Sequence, residues 1–459
     1  MQHHTNAYAE AKSTASLVRR SLTVFEVLLC VYSFLFYTGF WWALIGSRIP
    51  ALMAPMRYAI LISTLTLLLL RTKTLVRILP KGNVLWLFFG LCFISLTWSI
   101  YPELTLKGSI QALLQVALFS LYFSSRFSPK DQLRIIGFVM GLTVMVNLFY
   151  IVALPSVGIH MGDKFHGAWK GFYENKNEFS GTMLWSLVVF YLLSFKNSNR
   201  LVAVLARVGL IVCPLLVILS TSKTALLLFI FLYFSLTIWN RYRWYGRQTI
   251  LTFDLAILSS FLVIGSITNN WEKLMSTLGK DPSMSGRTDI WSAAMIEINH
   301  RPWFGHGFSA FWTEENPAAL NIGNSLHPGF YTYNAHNGFI DILLDVGWVG
   351  LALFMVCLGL TWLLALKYAY RPSAPEDFWP LAVMLLVTSY NIAESSFLTD
   401  NLNWVFFVSA ALSVRIWPRQ RLAQSTPEPL ENIGLQRSSA IPTRKKALAS
   451  SLSSTKRTL

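Results

Sequence analysis

The feature that most constrains this chain is a succession of apolar runs, each close to the length that crosses a bilayer. Hydrocarbon offers no water to backbone N–H and C=O groups, so such a run must close its hydrogen bonds within a helix of about 20 residues. About twelve runs reach spanning or near-spanning length, at 22–45, 52–70, 84–98, 109–124, 135–154, 179–195, 201–219, 225–239, 250–267, 339–366, 378–392 and 402–416. Composition agrees. Only 13% of the 459 residues are charged and 54% are hydrophobic, too little polar material to clothe a soluble protein of this size. The expected fold is an all-α polytopic membrane protein with a large extracytoplasmic loop between spans 9 and 10.

The charges lie between the runs. Arg71, Lys73, Arg77 and Lys81 form one connector, Arg126, Lys130 and Arg134 another, and Arg241, Arg243 and Arg247 a third. Positive residues mark cytoplasmic loops, which places both termini inside. The expected layout is a cytoplasmic tail at 1–21, spans 1 to 9 over 22–267, the large loop at 268–338 and spans 10 to 12 over 339–417. A basic, disordered tail follows at 418–459. The first run lacks a small-residue exit and is read as a retained span, not a cleaved signal. A net charge of +16 spread over short connectors, with no basic patch interleaved with aromatics, argues against nucleic-acid binding. Cys30, Cys92, Cys213 and Cys357 all fall within apolar runs and read as small packing residues.

This layout collects the unusual polar residues on the outer side. The loop at 155–178 carries Glu174-Asn175-Lys176-Asn177, and Ser220-Thr221-Ser222-Lys223-Thr224 ends span 7. The connector of about 70 residues before span 10 is too long for an ordinary turn. It carries Ser285-Gly286-Arg287 and Trp291, then His300-Arg301-Pro302-Trp303-Phe304-Gly305-His306-Gly307, and ends at His336-Asn337-Gly338. Each candidate has a structural alternative. Arg287 offers a planar fork suited to phosphate, or it pairs with Asp289 or Glu297. His336 stands where an imidazole could exchange a proton with a bound hydroxyl, or it merely caps a loop. Lys223 binds an anion or snorkels to the interface. Glu174, Asn175 and Asn177 position sugar hydroxyls or cap a helix. Asn337, Asp341 and Asp345 share a helix face, and intramembrane carboxylates are functional candidates. Trp271, Trp291, Trp303 and Trp312 stack on sugars or anchor at the interface. There is no D-x-D pair for a divalent metal, so no metal and no cofactor are expected.

Taken together, these motifs resemble the O-antigen ligase and O-antigen polymerase family of bacterial inner-membrane proteins. Trp98-Ser99 with Pro102-Glu103, Asn391 and Glu394-Ser395 look most like its Wzy-type, ExoQ-like exopolysaccharide polymerase branch. The resemblance implies glycosyl transfer on the periplasmic face, from a glycan on undecaprenyl diphosphate to a sugar hydroxyl. It implies that Arg287 holds the diphosphate, that His336 is the base and that Lys223 stands where an arginine is common. It further implies that Glu174, Asn175, Asn177 and Asn337 line the substrate site. Membrane lipid, a chain-length regulator and export proteins would be partners. A polymerase of lipid-linked repeats is the expected activity. A ligase acting on lipid A core or protein is the alternative, and a lipid-linked glycan transporter is the competing reading from another class.

Overall fold

The structure is a computed structural model, and it describes residues 21–162, 165–194, 200–241, 286–326, 329, 331–370 and 375–424. The described residues are helical apart from turns and one isolated β-bridge between Ile159 and Trp169. Residues 1–418 form one compact unit; of the second, 419–459, only the helical residues 419–424 are described.

In chain order the principal helices are α1 Ser21–Tyr37, α2 Met53–Leu69, α3 Asn83–Ile94 and α4 Pro102–Arg126. Next come α5 Pro129–Ala153, α6 Lys176–Ser194, α7 Arg200–Leu219 and α8 Lys223–Arg241. They are followed by α9 Arg287–His300, α10 Pro317–Leu326, α11 Gly338–Tyr370, α12 Trp379–Ala393 and α13 Leu402–Gln424. Six described helices are long and apolar enough to cross a membrane: Pro50–Leu69, Thr72–Thr97, Pro102–Arg126, Pro129–Ala153, Arg200–Leu219 and Gly338–Ala369. Shorter apolar helices lie over the runs that begin at 22, 225 and 402. The run at 250–267 lies outside the described residues, as does Trp271. The long connector contains helices of its own, α9 and α10.

Apolar helices gain little by leaving lipid for one another, so packing and interhelical hydrogen bonds hold the bundle. A buried aromatic cluster joins Phe34 of α1, Phe119 and Phe123 of α4, Trp185 of α6 and Trp404 and Phe406 of α13. Hydroxyls tie α4 to α13, with Ser124 Oγ donating to Ser409 O at 2.9 Å. A π-helical turn within α4, Ser109–Leu114, loosens the backbone ladder. There Ala112 O accepts from Trp404 Nε1 at 2.9 Å. Away from this core, Glu26 of α1 is fully buried between Arg71 at 2.5 Å and Arg126 at 2.7 Å.

The ladder of α11 is broken. Gly347 takes φ 67° and ψ −167°, outside helical geometry. A broken backbone at membrane depth is tolerated only where protein satisfies the freed groups. The segment 302–307 does this: Trp348 N donates to Pro302 O at 2.8 Å and Val349 N to Trp303 O at 3.2 Å. In return, His306 N donates to Leu344 O at 2.8 Å and Gly307 N to Asp345 O at 2.9 Å. A Cβ on residue 347 would lie 2.4 Å from Trp303 O.

Candidate active site

Glu394 follows the end of α12, and its carboxylate is the hub of the site. Oε1 accepts from Arg287 Nη2 at 2.7 Å and from Asn177 Nδ2 at 3.4 Å; Oε2 lies 3.2 Å from His336 Nδ1. An ionised carboxylate only accepts, so His336 is assigned its proton on Nδ1 and the Nε2 lone pair becomes the basic atom. Arg287 also donates through Nη1 to Ala393 O. Burial alone would raise the Glu394 pKa, but the His336 hydrogen bond and the Arg287 charge outweigh it and hold the carboxyl below its usual range.

Each member is fixed by its own element. Gly286, at φ 87°, makes the left-handed turn from which α9 starts at Arg287. One helical turn on, Trp291 shares the Arg287 face and donates through Nε1 to Ala335 O at 2.8 Å. Asp341 Oδ1 accepts from Ala335 N at 3.0 Å and from Trp312 Nε1 at 2.7 Å. The residue before His336 is therefore held on both sides. His336 itself is in left-handed backbone at φ 50°, as is Thr221 of the 220–224 turn at φ 54°. Such backbone is uncommon outside glycine, especially for a β-branched residue, and gathers at functional sites. Glu394 is presented by a turn that Asn391 builds. Its buried side chain accepts from Ser396 N and Phe397 N and donates to Val387 O, each at 2.9 Å.

The other expected residues divide. Asn177 joins the hub, and its Oδ1 accepts from Ser222 Oγ at 3.0 Å. Lys223 is the next residue, exposed at the start of α8. Lys176, which the sequence did not single out, sits beside it, donating to Thr221 Oγ1 at 3.2 Å and stacking over Phe165 at 4.3 Å. Burial and the Lys223 charge lower the Lys176 pKa. Asn175 caps α6, accepting from Asn177 N at 3.0 Å and Glu178 N at 2.9 Å. Asn337 caps α11, accepting from Phe339 N at 3.0 Å, and donates to Ile392 O at 3.3 Å. Glu174 stands on another wall, accepting from Trp42 Nε1 at 2.9 Å. Arg287 pairs with neither Asp289 nor Glu297 in the bonds above; its carboxylate partner is Glu394.

The 300–307 motif is remote from this chemistry. His300 is exposed beside Glu297, and buried His306, held below the ordinary imidazole range chiefly by burial, faces Leu344 O at 3.2 Å. Trp291 and Trp312 donate inward to the His336 loop, whereas Trp303 is 66% exposed. Sequence reasoning missed Glu394 as a site residue although its motif was visible. Its partners lie 58 and 107 residues away in the chain, beyond any local pattern.

A cavity of about 710 Å³ opens beside the hub, with His336, Glu394, Glu174, Trp42, Arg57 and Asp400 among its walls. It is built where the carboxy ends of α1 and α12 meet the amino ends of α2, α6 and α13 and the approach to α11. Several site residues lie at helix amino ends: Asn177 in α6, Lys223 in α8 and Arg287 in α9. Such ends carry partial positive charge and favour anions. A basic imidazole nitrogen, a guanidinium and two lysines can together accept a proton and stabilise an anionic leaving group.

Residues 208–355 match a family model described as O-Antigen ligase, a range that takes in Lys223, Arg287 and His336. The chain is similar to the exopolysaccharide production protein ExoQ of Rhizobium meliloti (strain 1021). The two are 27% identical over 86 residues, 18% of this chain and 20% of that protein. It is also similar to the general O-oligosaccharyltransferase of Acinetobacter baylyi (strain ATCC 33305 / BD413 / ADP1). There the identity is 26% over 157 residues, 32% of this chain and 26% of that protein. The matched stretches thus span about a quarter or less of these relatives.

Proposed function

Because this chain belongs to the O-antigen ligase and polymerase family, we propose that it polymerises lipid-linked oligosaccharide at the outer face of the bacterial inner membrane. The donor is a glycan on undecaprenyl diphosphate and the acceptor is a sugar hydroxyl of another lipid-linked repeat. The observation that carries this reading is the Arg287–Glu394–His336 array, whose Glu394 and His336 line a glycan-sized cavity.

His336 Nε2 takes the acceptor hydroxyl proton, and Glu394 stabilises the imidazolium that forms. The hydroxyl oxygen uses its lone pair to form the new C–O bond at the anomeric carbon. The bond from that carbon to the diphosphate oxygen breaks, and the diphosphate leaves with the electron pair. The Arg287 N–H groups not engaged by Ala393 and Glu394 meet the leaving anion, with Lys223 and Lys176 as point charges beside it. Lysine at 223 supplies charge without a bidentate fork. Chain-length regulation and export by other proteins belong to the same reading.

The test uses purified protein in liposomes with an undecaprenyl-diphosphate repeat unit and no other enzyme. A ladder of longer lipid-linked glycans is expected. Transfer only when lipid A core or a protein acceptor is added would make the activity that of a ligase. Movement of the lipid across the bilayer without bond formation would contradict glycosyl transfer and restore the transporter reading.

A further inference from the structure

The cavity beside His336 has a second polar wall that proton transfer and leaving-group stabilisation do not use. Arg57, in the first turns of α2, donates through Nη2 to Asp400 Oδ2 at 2.7 Å. Its Nη1 is buried and has no hydrogen-bond partner among the described residues. Nη1 is enclosed, with the guanidinium stacked over the Phe36 ring at 5.5 Å, so what the pair offers a ligand on the cavity is its remaining N–H groups and the Asp400 oxygens. Asp400 keeps acceptor capacity beyond its arginine partner. A carboxylate oxygen next to a guanidinium N–H matches a vicinal pair of hydroxyls, one donating and one accepting.

On the same cavity lies Trp42, 45% exposed, whose indole N–H is directed to Glu174 Oε1. That bond fixes the ring and leaves its area available for stacking on an apolar sugar face. Glu174 retains lone pairs for a further hydroxyl. Among the described residues on the walls, the carboxylates are Glu174, Glu178, Glu394 and Asp400, and the guanidinium is that of Arg57. Glu394 and Asp400 are paired with arginines. Among the described residues Glu174 and Glu178 join no ion pair, and the charge of Glu174 makes the space hostile to an acidic sugar.

We propose that Trp42, Glu174 and the Arg57–Asp400 pair form an uncharged-glycan subsite that seats the acceptor sugar against His336. The inference rests on the glycosyl-transfer reading and adds which wall receives the acceptor and what chemistry it accepts. Ring stacking on Trp42 sets the plane of the sugar. The Arg57–Asp400 pair sets its rotation, so that one hydroxyl is presented to Nε2. The diphosphate is kept on the Arg287 side, away from the unpaired carboxylates.

The test titrates the full-length protein in detergent with the oligosaccharide freed by mild acid from the accumulated lipid-linked repeat, followed by calorimetry. Losing a ligand bond from a charged group weakens binding by about ten-fold or more, the loss expected for Arg57→Gln, and losing the stacking face in Trp42→Ala is expected to cost about ten-fold as well. Trp42→Phe, which keeps a ring and guards against misfolding, stays within about three-fold of wild type. Between about 0.05 and 0.5 M NaCl the affinity changes less than about two-fold, because an uncharged ligand gives salt little to screen. The subsite is overturned if Trp42→Ala and Arg57→Gln bind like wild type, if wild type fails to bind, or if affinity falls steeply with salt. Transfer assays on the same samples separate the two readings. Wild type that makes polymer while Trp42→Ala keeps its acceptor KM refutes the subsite alone, whereas wild type without transfer refutes the activity.

Discussion

Both oxygens of Glu394 are engaged by other members of the site, one by Arg287 and Asn177 and the other by His336. Glutamine keeps the shape but must point an amide N–H₂ at a donor on one side or the other. Glu394→Gln is therefore expected to slow transfer about 100-fold, within the range of lost acid–base assistance, with insertion unchanged; initial rates check this. The pH dependence has a definite sign. The folded carboxyl is held below its ordinary value of 4.5, so its stabilisation is complete above that value and is lost as pH falls through the lower folded value. The melting-temperature gap between wild type and Glu394→Gln should persist from neutral pH down to 4.5 and close only below it. Loss of activity between about pH 8 and 5 would belong to another group. At this scale the sequence showed Arg287 and His336 as chemically apt residues. It could not show that Glu394 joins them, because no spacing rule connects side chains that meet only after four helices have packed.

The helices themselves were largely legible, because hydrophobic length is a local property. The runs at 52–70 and 201–219 match α2 and α7 almost residue for residue. The break in α11 was not legible. Val346-Gly347-Trp348-Val349 is as apolar as the turns around it, and its non-helical backbone exists because 302–307 supplies the missing partners. The same contact explains the 300–307 motif as a plug for that break, away from the reacting atoms. Gly347→Ala would force a Cβ into left-handed backbone and against Trp303 O. It should cost about 1–3 kcal/mol or more and lower the yield of folded protein, read by thermal aggregation in detergent. At the far side of the bundle, Glu26→Ala would leave Arg71 and Arg126 facing each other without their shared carboxylate. A loss of about 3–5 kcal/mol is expected there, with residual activity per folded molecule unchanged.

Over the whole molecule, the charge pattern of the connectors predicted that the unusual polar residues share one side. In the structure Asn177, His336 and Glu394 come together on one cavity, and which side of the membrane it faces is for labelling to read. The four native cysteines are buried, so an introduced thiol reports its own side. With a membrane-impermeant maleimide on intact cells, Thr399→Cys should label without permeabilisation, and Lys130→Cys and Arg200→Cys only after it. Equal labelling of all three would reverse or abolish the proposed orientation. What one sequence could not convey is how the large connector folds back to place α9 beside α11 and α12, since that depends on tertiary pairs such as Trp291–Ala335 and Arg287–Glu394. The most direct test of the central claim is the transfer rate of purified His336→Ala in liposomes, beside wild type and with matched insertion. A fall of about 100-fold or more is predicted, with the lipid-linked donor still bound. Wild-type rates from His336→Ala would contradict the account, because no other residue in the array then needs to take the proton.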